Sequence, residues 1–259
     1  MVDVMGVINV TPDSFSDGGQ WLRAEAAIEH AGRLIEQGAN IVDVGGESTR
    51  PGSDPVAAAL ETQRIVPVVE GIVERWPSTR VSVDTNKGSV AVAAINAGAS
   101  LINDVSASLE DVAAAHGVGW IAMHSGGPSK TMQDNPQYDD VVEEVAVYLA
   151  DAVQRGQAAG VRDIWIDPGI GFGKTFEHNL EIVANLDRFV EIGPVVLGVS
   201  RKRTIGDLHA RSDGVLDVSA SDRLEGSLAM ATWGAFLGAD MVRVHDVQAT
   251  VHAVGVLSR

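Results

Sequence analysis

Short apolar runs alternate with amphipathic segments along the chain. The runs are rich in β-branched residues and nearly continuous in hydrophobicity, which is typical of strands covered on both faces. The segments between them have helical periodicity, since Ala24, Ala27, Ile28, Ala31 and Ile35 fall on one helical face. The eight apolar runs occupy residues 4–8, 40–44, 81–83, 100–102, 118–123, 164–166, 195–197 and 241–244.

Eight βα units in 259 residues predict an α/β protein with one (β/α)8 TIM barrel, forming a single domain over residues 1–259. An open doubly wound sheet is the alternative, but it usually has fewer strands and a dinucleotide loop after the first. No such loop is evident here. Long connections at 11–23, 47–54 and 125–139 are expected as mobile loops at the C-terminal face of the strands, and a fourth, polar loop at 207–221 follows the seventh strand.

Residues at the ends of the predicted helices indicate their boundaries. A glycine just before six of the strands is expected to end the preceding helix, because glycine adopts left-handed backbone angles at little cost. These residues are Gly38, Gly98, Gly117, Gly160, Gly193 and Gly238. Helix starts are predicted at Asp54-Pro55, Asp140 and Asp246, where an aspartate would cap the first turn.

Composition narrows the class of protein. A net charge of −16 opposes binding to nucleic acid or to an anionic membrane surface. The absence of cysteine excludes disulfides, a thiolate nucleophile and a cysteine-ligated metal. No apolar run approaches the roughly 20 residues of a membrane span, and Met1 is not followed by a recognisable signal peptide. A cytoplasmic protein is expected, and an anionic substrate would require its few cations to be gathered at one site.

Polar residues follow every predicted strand. A single Asp or Asn at such a junction is more often a helix cap, but eight polar strand ends favour a site, because barrel active sites lie at the C-terminal ends of the strands. The acceptors are Asp84, Asn103 and Asp167, with Lys202 as a donor beside them, and they suit a flat heterocycle with several N–H groups. The cations are Arg50, Arg243 and His245, with Asn9 nearby, in a sector where barrels often bind phosphate. Glu47, His124 and Ser200 complete the set.

Other chemistries fit these residues less well. The seven histidines show no HxxxH spacing for a zinc hydrolase. Glu47 is the only glutamate at a strand end, which weakens a two-carboxylate glycosidase. Ser14, Ser16 and Ser48 lack a nucleophile elbow.

The segment DPGIGFGK at 167–174 stands where the sixth strand passes into a helix. Its alternating glycines match neither a Walker loop nor the GxGxxG pattern. A flexible surface turn is one interpretation. Its place after the sixth of eight strands favours the other, in which the glycines allow close backbone approach to a ligand. Asp167 would then be a ring acceptor, and Lys174 is less clearly involved than Lys202.

Six motifs, in this order, resemble those of dihydropteroate synthase, a family of pterin-binding enzymes. They are GVINVTPDSFSDGG at 6–19, DVGGESTRPG at 43–52, NDVS at 103–106, DPGIGFGK at 167–174, SRK at 200–202 and RVHD at 243–246. The resemblance covers essentially the whole chain. It implies a transferase of folate synthesis and sulfonamide target, which joins 6-hydroxymethyl-7,8-dihydropterin diphosphate to p-aminobenzoate and releases diphosphate. It also implies Mg²⁺ as cofactor and a homodimer.

The resemblance implies a role for each matched residue. The pterin ring would bind Asp84, Asn103, Asp167 and Lys202, while Asn9 would hold Mg²⁺ and Arg50, Arg243 and His245 the diphosphate. Phe15, Thr49, Pro51, Phe172 and Ser200 would form the p-aminobenzoate pocket, with Met123 and Gly171 as further substrate-binding positions. The residues expected to act in catalysis are Asn9, Asp84, Lys202, Arg243 and His245. In this family the C–O bond to diphosphate breaks ahead of amine attack, so no nucleophilic side chain is required.

Two loops depart from the family pattern. The loop MHSGGP at 123–128 lacks the bulkier or basic residue that more often precedes the glycine, and VSAS at 105–108 lacks a glycine that is frequent after the serine. A pterin-binding paralogue without synthase activity, or another pterin-dependent barrel such as a methyltransferase, is the alternative. The intact second motif and the cationic sector favour the synthase, because neither alternative needs a diphosphate site.

Overall fold

Eight parallel strands form the centre of the molecule. The computed structural model describes residues 2–11, 20–48 and 52–257, without the side chains of 20–22. The strands are β1 (Asp3–Asn9), β2 (Ile41–Gly45), β3 (Arg80–Asp84), β4 (Leu101–Asp104), β5 (Gly119–Met123), β6 (Ile164–Asp167), β7 (Val196–Leu197) and β8 (Met241–Val244). Their order is β6-β5-β4-β3-β2-β1-β8-β7, and a bridge between Ile166 and Val195 links the two edges. The predicted (β/α)8 barrel is confirmed.

Helices follow the strands and cover the outside of the barrel. They are α1 (Gln20–Glu36), α2 (Ala58–Arg75), α3 (Gly88–Asn96), α4 (Glu110–His116), α5 (Val141–Ala159), α6 (Phe176–Ala184), α7 (Asp187–Val190), α8 (Arg203–Asp213), α9 (Leu224–Phe236) and α10 (Val247–Gly255). A 3-10 turn occupies Ala220–Asp222. No described helix is both long and apolar enough to cross a membrane.

The core consists of two layers that reflect the alternation of side chains along each strand. Outward residues such as Val42, Ile102 and Val242 pack against the helices. Inward residues form a separate apolar plug in the barrel, made of Met5, Ile41, Leu101, Ile121, Val196 and Met241. Since the side-chain period of a strand is two, the next inward position lies one layer closer to the C-terminal face. That second layer holds the polar residues.

Most predicted boundaries agree with the structure. Positive φ values occur at Gly38, Gly98, Gly117, Gly160 and Gly238, but Gly193, which follows α7, is not in the left-handed region. The Asp140 carboxylate accepts from the backbone N–H groups of Val142 and Glu143 at 3.1 and 3.0 Å, as an N-cap should.

One predicted helix start, one predicted side-chain cap and one predicted loop differ from the structure. Helix α2 begins at Ala58 and not at Asp54, whose carboxylate lies 2.6 Å from the Lys130 ammonium. Asp246 precedes α10 but makes no side-chain cap, because its two oxygens accept from Arg201. The polar segment 207–221 is not one long loop, since α8 occupies its first half and buries an apolar face that includes Ile205 and Ala210.

Candidate active site

The second inward layer gathers the strand-end residues into one cluster at the C-terminal mouth of the barrel. Asp43, Asn103 and Arg243 each lie two residues after a member of the apolar plug, namely Ile41, Leu101 and Met241. The same alternation along β1, β5 and β6 brings Asn9, Met123 and Asp167 to this mouth. The regular register of the parallel strands therefore positions the site.

Arg243 lies at the centre of this cluster. Its Nε donates to Asp43 Oδ2 at 2.7 Å, and its Nη2 donates to Asp84 Oδ2 at 2.8 Å. Burial alone would lower the pKa of Arg243, but Asp43 and Asp84 raise it, so the guanidinium stays charged. The expectation of a separate cationic sector is therefore corrected for Arg243, which is ion-paired within the acceptor sector.

Asp43 is a central residue that the sequence interpretation missed. It is fully buried, and its Oδ2 also accepts from Asn103 Nδ2 at 2.9 Å. Because the Asn103 amide nitrogen is directed at Asp43, its carbonyl oxygen is left to accept from a ligand. Asp43 thus orients both Asn103 and Arg243. The signal is the alternation along β2, which puts Ile41 and Asp43 on one face, whereas the prediction names Glu47 as the polar residue of that strand.

Glu47 has a structural role in the described part of the chain. Its Oε2 accepts from the Val56 backbone N–H at 2.6 Å and from Lys87 Nζ at 2.7 Å. Lys87 also donates to the buried Glu61 at 2.6 Å. This network fastens the connection after β2 to helix α2 and to the start of α3.

Asp84 has an unusual protonation equilibrium. Burial raises its pKa to about 7, the Arg243 guanidinium opposes that shift, and the Asp43 carboxylate adds to it. Only its Oδ2 is used by Arg243. Within the described residues, the second oxygen of Asp84 remains available to a ligand, and its charge depends on pH near neutrality.

Asp167 and Lys202 face each other across a glycine. A Cβ at Gly198 would lie 3.6 Å from Asp167 Oδ2 and 3.8 Å from Lys202 Nζ, so the missing side chain leaves room between the two groups. Asp167 Oδ1 accepts from the Gly169 backbone N–H at 2.7 Å, which leaves Oδ2 on the side of this space. Burial raises the pKa of Asp167, and burial lowers the pKa of Lys202 to about 8, each shift being opposed by the partner's charge.

The turn at 167–174 is a firmly held structure and not a flexible surface loop. Gly169, Gly171 and Gly173 have φ of 68°, 81° and 65°, values that glycine adopts without strain. A Cβ at Gly173 would lie 2.4 Å from the Cα of Gly126, so this turn and the β5–α5 loop touch backbone to backbone. Of the two glycines in the segment 123–128, Gly126 is therefore required by packing, whereas Gly127 has open space around it and a left-handed φ of 125°.

The carbonyl groups of this turn are held by side chains from several elements. Lys202 Nζ donates to the Ile170 carbonyl and lies 4.6 Å from the centre of the Phe172 ring. Gln133 donates to the Gly171 carbonyl and Tyr138 to the Gly173 carbonyl, both at 2.8 Å. Phe172 and Gly171, two predicted substrate-binding residues, therefore lie directly beside Lys202.

Ser200 and His245 are brought together at the other side of the mouth. The Ser200 Oγ lies 3.0 Å from His245 Nδ1 and accepts from the His245 backbone N–H at 3.2 Å. A hydroxyl can donate one hydrogen bond and accept two, so Ser200 can pair with either tautomer of His245 while accepting from its backbone N–H. The hydroxyl of Ser200, predicted for the p-aminobenzoate pocket, is thus engaged with His245.

Arg201 bends the chain between Ser200 and Lys202. Its φ of 58° is unusual for a residue with a side chain, and such backbone strain persists only where the surroundings enforce it. Here its guanidinium donates twice to Asp246, at 3.0 and 2.6 Å, and its backbone N–H donates to Ser227 Oγ at 2.9 Å. Ala107, in the loop at 105–108 that departs from the family pattern, also has a positive φ of 47°, where a glycine would be unstrained.

Four predicted residues lie outside the described residues, namely Phe15, Thr49, Arg50 and Pro51. The described site therefore contains the four residues predicted to bind the pterin ring. It also contains Met123, Phe172, Gly171, Ser200, His245 and Asn9. Among the described residues, no group of three or more His, Asp or Glu side chains could hold a metal ion. Asn9 ends β1 beside Gly45 and offers an amide oxygen, a ligand type that Mg²⁺ accepts.

Comparison with known proteins identifies the family. Residues 5–245 match the model of the family described as "Pterin binding enzyme". The chain is 44% identical over 261 residues to dihydropteroate synthase of Escherichia coli strain K12, covering 98% of this chain and 90% of that protein. The chain belongs to the dihydropteroate synthase family. The resemblance inferred from the motifs is confirmed.

Solved structures of the family agree with the barrel in detail. Dihydropteroate synthase of Xanthomonas albilineans with 4-aminobenzoic acid has a TM-score of 0.91 and 43% identity, over 99% of this chain and 92% of that one. The same enzyme in complex with 7,8-dihydropteroate has a TM-score of 0.87 and 41% identity, over 99% and 92% of the two chains. The protein is therefore an enzyme of the transferase class that acts in folate synthesis.

Proposed function

We propose that the protein is an active dihydropteroate synthase, with 6-hydroxymethyl-7,8-dihydropterin diphosphate and p-aminobenzoate as its substrates. The observation that carries this is the cluster at the mouth, where Asp84, Asn103 and Asp167 each have one polar atom fixed by the protein and a second acceptor left over. A dihydropterin ring presents several N–H donors in one plane. Acceptors fixed in advance bind such a ring without reorganisation.

The site also suits departure of diphosphate. Lys202 would donate to a ring acceptor, while Arg243 and His245 would stabilise charge on the leaving group. The C–O bond breaks with its electrons passing to the diphosphate oxygen, and the amine nitrogen then bonds to the pterin methylene and loses a proton. Buried carboxylates at Asp84 and Asp167 favour positive charge on the pterin in between.

Mg²⁺ would be held by Asn9 together with diphosphate oxygens and water. Mg²⁺ commonly takes one or two protein ligands and completes its shell with phosphate and water, so a single amide oxygen fits this mode. When bound, the ion would supply charge stabilisation for the leaving diphosphate. Arg50 would add a cation to the same group, and Phe15, Thr49 and Pro51 would complete the p-aminobenzoate pocket.

The experiment is a synthesis assay. The protein is incubated with the dihydropterin diphosphate, p-aminobenzoate and Mg²⁺, and both dihydropteroate and diphosphate are quantified. Equal amounts of the two products are expected. Tight pterin binding without either product would support a non-catalytic paralogue, and methyl transfer from a folate would support a methyltransferase.

Assembly as a homodimer is proposed from an exposed apolar face on α9. Helix α9 is apolar on both sides: Ala231 and Gly234 are buried, while Trp233 and Phe236 are 52% and 66% exposed with ring centres 5.8 Å apart. Exposed apolar patches often mark protein–protein interfaces, and twofold dimers are the commonest homo-oligomers. We place the enzyme in the cytoplasm, consistent with its lack of cysteine.

The dimer is tested by sedimentation of matched variants. Phe236→Glu should convert a species of twice 27.2 kDa into the single chain. Val147→Glu, on α5, is the control, because Val147 is also 66% exposed. A monomeric unmodified protein, or equal masses for the two variants, would contradict this interface.

A further inference from the structure

Lys174 is a buried cation to which the proposed reaction assigns no task. It is 3% exposed, and its ammonium contacts His124 Nδ1 at 2.8 Å, the Gly169 carbonyl at 3.0 Å and the Phe172 carbonyl at 3.1 Å. An ammonium has three N–H donors, so this set of acceptors satisfies it completely. Burial lowers the pKa of Lys174 to about 7, a shift that the Asp167 carboxylate opposes and the Lys202 charge increases. Burying a charge is costly unless it is fully hydrogen-bonded, so a lysine kept at this position points to a role beyond packing.

The three acceptors belong to two different loops. His124 directly follows β5, whereas Gly169 and Phe172 belong to the turn after β6. Burial and the neighbouring Lys174 charge lower the pKa of His124 to about 3, so its ring is neutral. Because an ammonium can only donate, Nδ1 of His124 accepts from Lys174. The ring of Tyr148 packs edge-on against His124 at 4.9 Å and keeps it in place. Lys174 therefore ties the β6 turn to a rigid part of the barrel wall.

The opposite side of the same turn faces the candidate site. There the Phe172 ring lies 4.6 Å from Lys202 Nζ, and Lys202 donates to the Ile170 carbonyl. The turn is thus held between an inner lysine, Lys174, and an outer lysine, Lys202. Because Lys174 binds the carbonyl of Phe172 itself, a shift of the ammonium would shift that ring.

We propose that Lys174 is a positioning residue for the second substrate. Through the carbonyls of Gly169 and Phe172 it fixes the Phe172 ring against Lys202, where the ring forms a wall for p-aminobenzoate. The inference rests on the proposed function. Lys174 touches neither substrate, so its removal is expected to raise the KM for p-aminobenzoate more than it lowers kcat.

The absence of cysteine allows a chemical test at this one position. Lys174→Cys is alkylated in the unfolded state and refolded, either with 2-bromoethylamine, which rebuilds the lysine side chain with a thioether, or with 1-iodopropane, which gives the same shape without the ammonium. The propyl form should show a KM for p-aminobenzoate raised about tenfold, the scale of one lost charged hydrogen bond. The aminoethyl form should return to within about twofold of the unmodified protein.

Two outcomes of the alkylation would overturn the proposal. One is a propyl form with the KM of the unmodified protein. The other is an aminoethyl form that folds but shows the same raised KM as the propyl form. Lys130→Met is the control for loss of one lysine charge, because Lys130 is an exposed residue paired with Asp54; its KM should not change.

Hydrogen exchange gives a readout that does not depend on turnover. In Lys174→Met, amide exchange should become faster in residues 169–173 and stay unchanged in the strands. Unchanged exchange in 169–173, or loss of the whole fold, would assign Lys174 to packing or to global stability and overturn the inference. Failure of the proposed function would be seen separately, as absence of product from the unmodified protein.

Discussion

Replacement of Asp43 provides the sharpest test of how the mouth of the barrel is built. Leucine has the same γ-branched shape as aspartate but no acceptor, so Asp43→Leu would leave Asn103 Nδ2 and Arg243 Nε without their partner. Each buried donor left unpaired costs about 1–3 kcal/mol. Arg243 keeps its second bond to Asp84, which limits the loss. A fall in unfolding free energy of about 3 kcal/mol is expected.

Thermal unfolding measures this loss. For a chain of this size, about 3 kcal/mol corresponds to a Tm lowered by roughly 6–12 °C. Ser82→Ala is the matched control, since Ser82 pairs in register with Asp43, is also fully buried, and has a hydroxyl without a partner among the described residues. That variant should be neutral or slightly more stable. A Tm for Asp43→Leu within 1 °C of that of Ser82→Ala would refute the role given to Asp43. Such a gap in Tm corresponds to a free-energy difference of less than about 0.5 kcal/mol.

The same substitution should shift a pH dependence in a defined direction. Asp84 has a folded pKa of about 7 against 3.8 in the unfolded chain, so its contribution to stability is fully present below pH 3.8 and is lost as pH rises through 7. Pterin binding needs the ionised carboxylate and should weaken below pH 7. Removing the Asp43 charge lowers the pKa of Asp84, so this weakening should move to lower pH in Asp43→Leu. The measurement is calorimetric titration with pterin at a series of pH values. If the weakening of binding occurred at higher pH in Asp43→Leu than in the unmodified protein, the assignment would be contradicted.

Three further outcomes are expected. Asp167→Ala should weaken dihydropterin binding by about 3 kcal/mol in calorimetry, because a charged hydrogen bond and its partner are lost, and near-unchanged affinity would exclude Asp167 as a ring acceptor. Arg243→Ala should lower both Tm and diphosphate affinity, since Asp84 loses its buried cation; an unchanged Tm would contradict its ion-paired position. In Gly169→Ala a Cβ would lie 1.8 Å from the His124 carbonyl oxygen, so unfolding should be easier by more than about 3 kcal/mol, against about 1 kcal/mol for Gly160→Ala, where the left-handed φ is the only obstacle and no atom lies within 4 Å.

Much of the fold could be predicted from the sequence because its signals are local. Apolar runs bounded by glycines such as Gly38 and Gly98 reveal strands and helix ends without knowledge of distant contacts. Asp246 shows where this fails. It stands at a helix start, as predicted, but a cation 45 residues earlier in the chain, Arg201, takes both of its oxygens. A capping residue is predictable by position, whereas its choice of partner depends on tertiary structure.

The candidate site could be predicted as a set of residues but not as a network. Placing polar groups at strand ends located Asp84, Asn103 and Asp167 correctly at one mouth. It could not reveal that Arg243 is bound between two carboxylates, because that depends on which strands face each other across the barrel. The sequence ranks Lys174 below Lys202 as a ligand of the ring, but only the packing of two loops shows that Lys174 is the inner cation and Lys202 the outer one.

The tightly held turn after β6 has a consequence for molecules that compete with p-aminobenzoate. Every carbonyl from Gly169 to Gly173 accepts a hydrogen bond from a side chain, either from Lys174 at the end of the same turn or from Lys202, Gln133 or Tyr138 in other parts of the barrel. A ligand slightly too wide for the pocket could therefore displace Phe172 only by breaking several hydrogen bonds together. The Phe172 wall should therefore not adapt to the ligand. Small groups added to an inhibitor on the side of Phe172 should reduce its affinity strongly, while groups directed away from Phe172 should be tolerated.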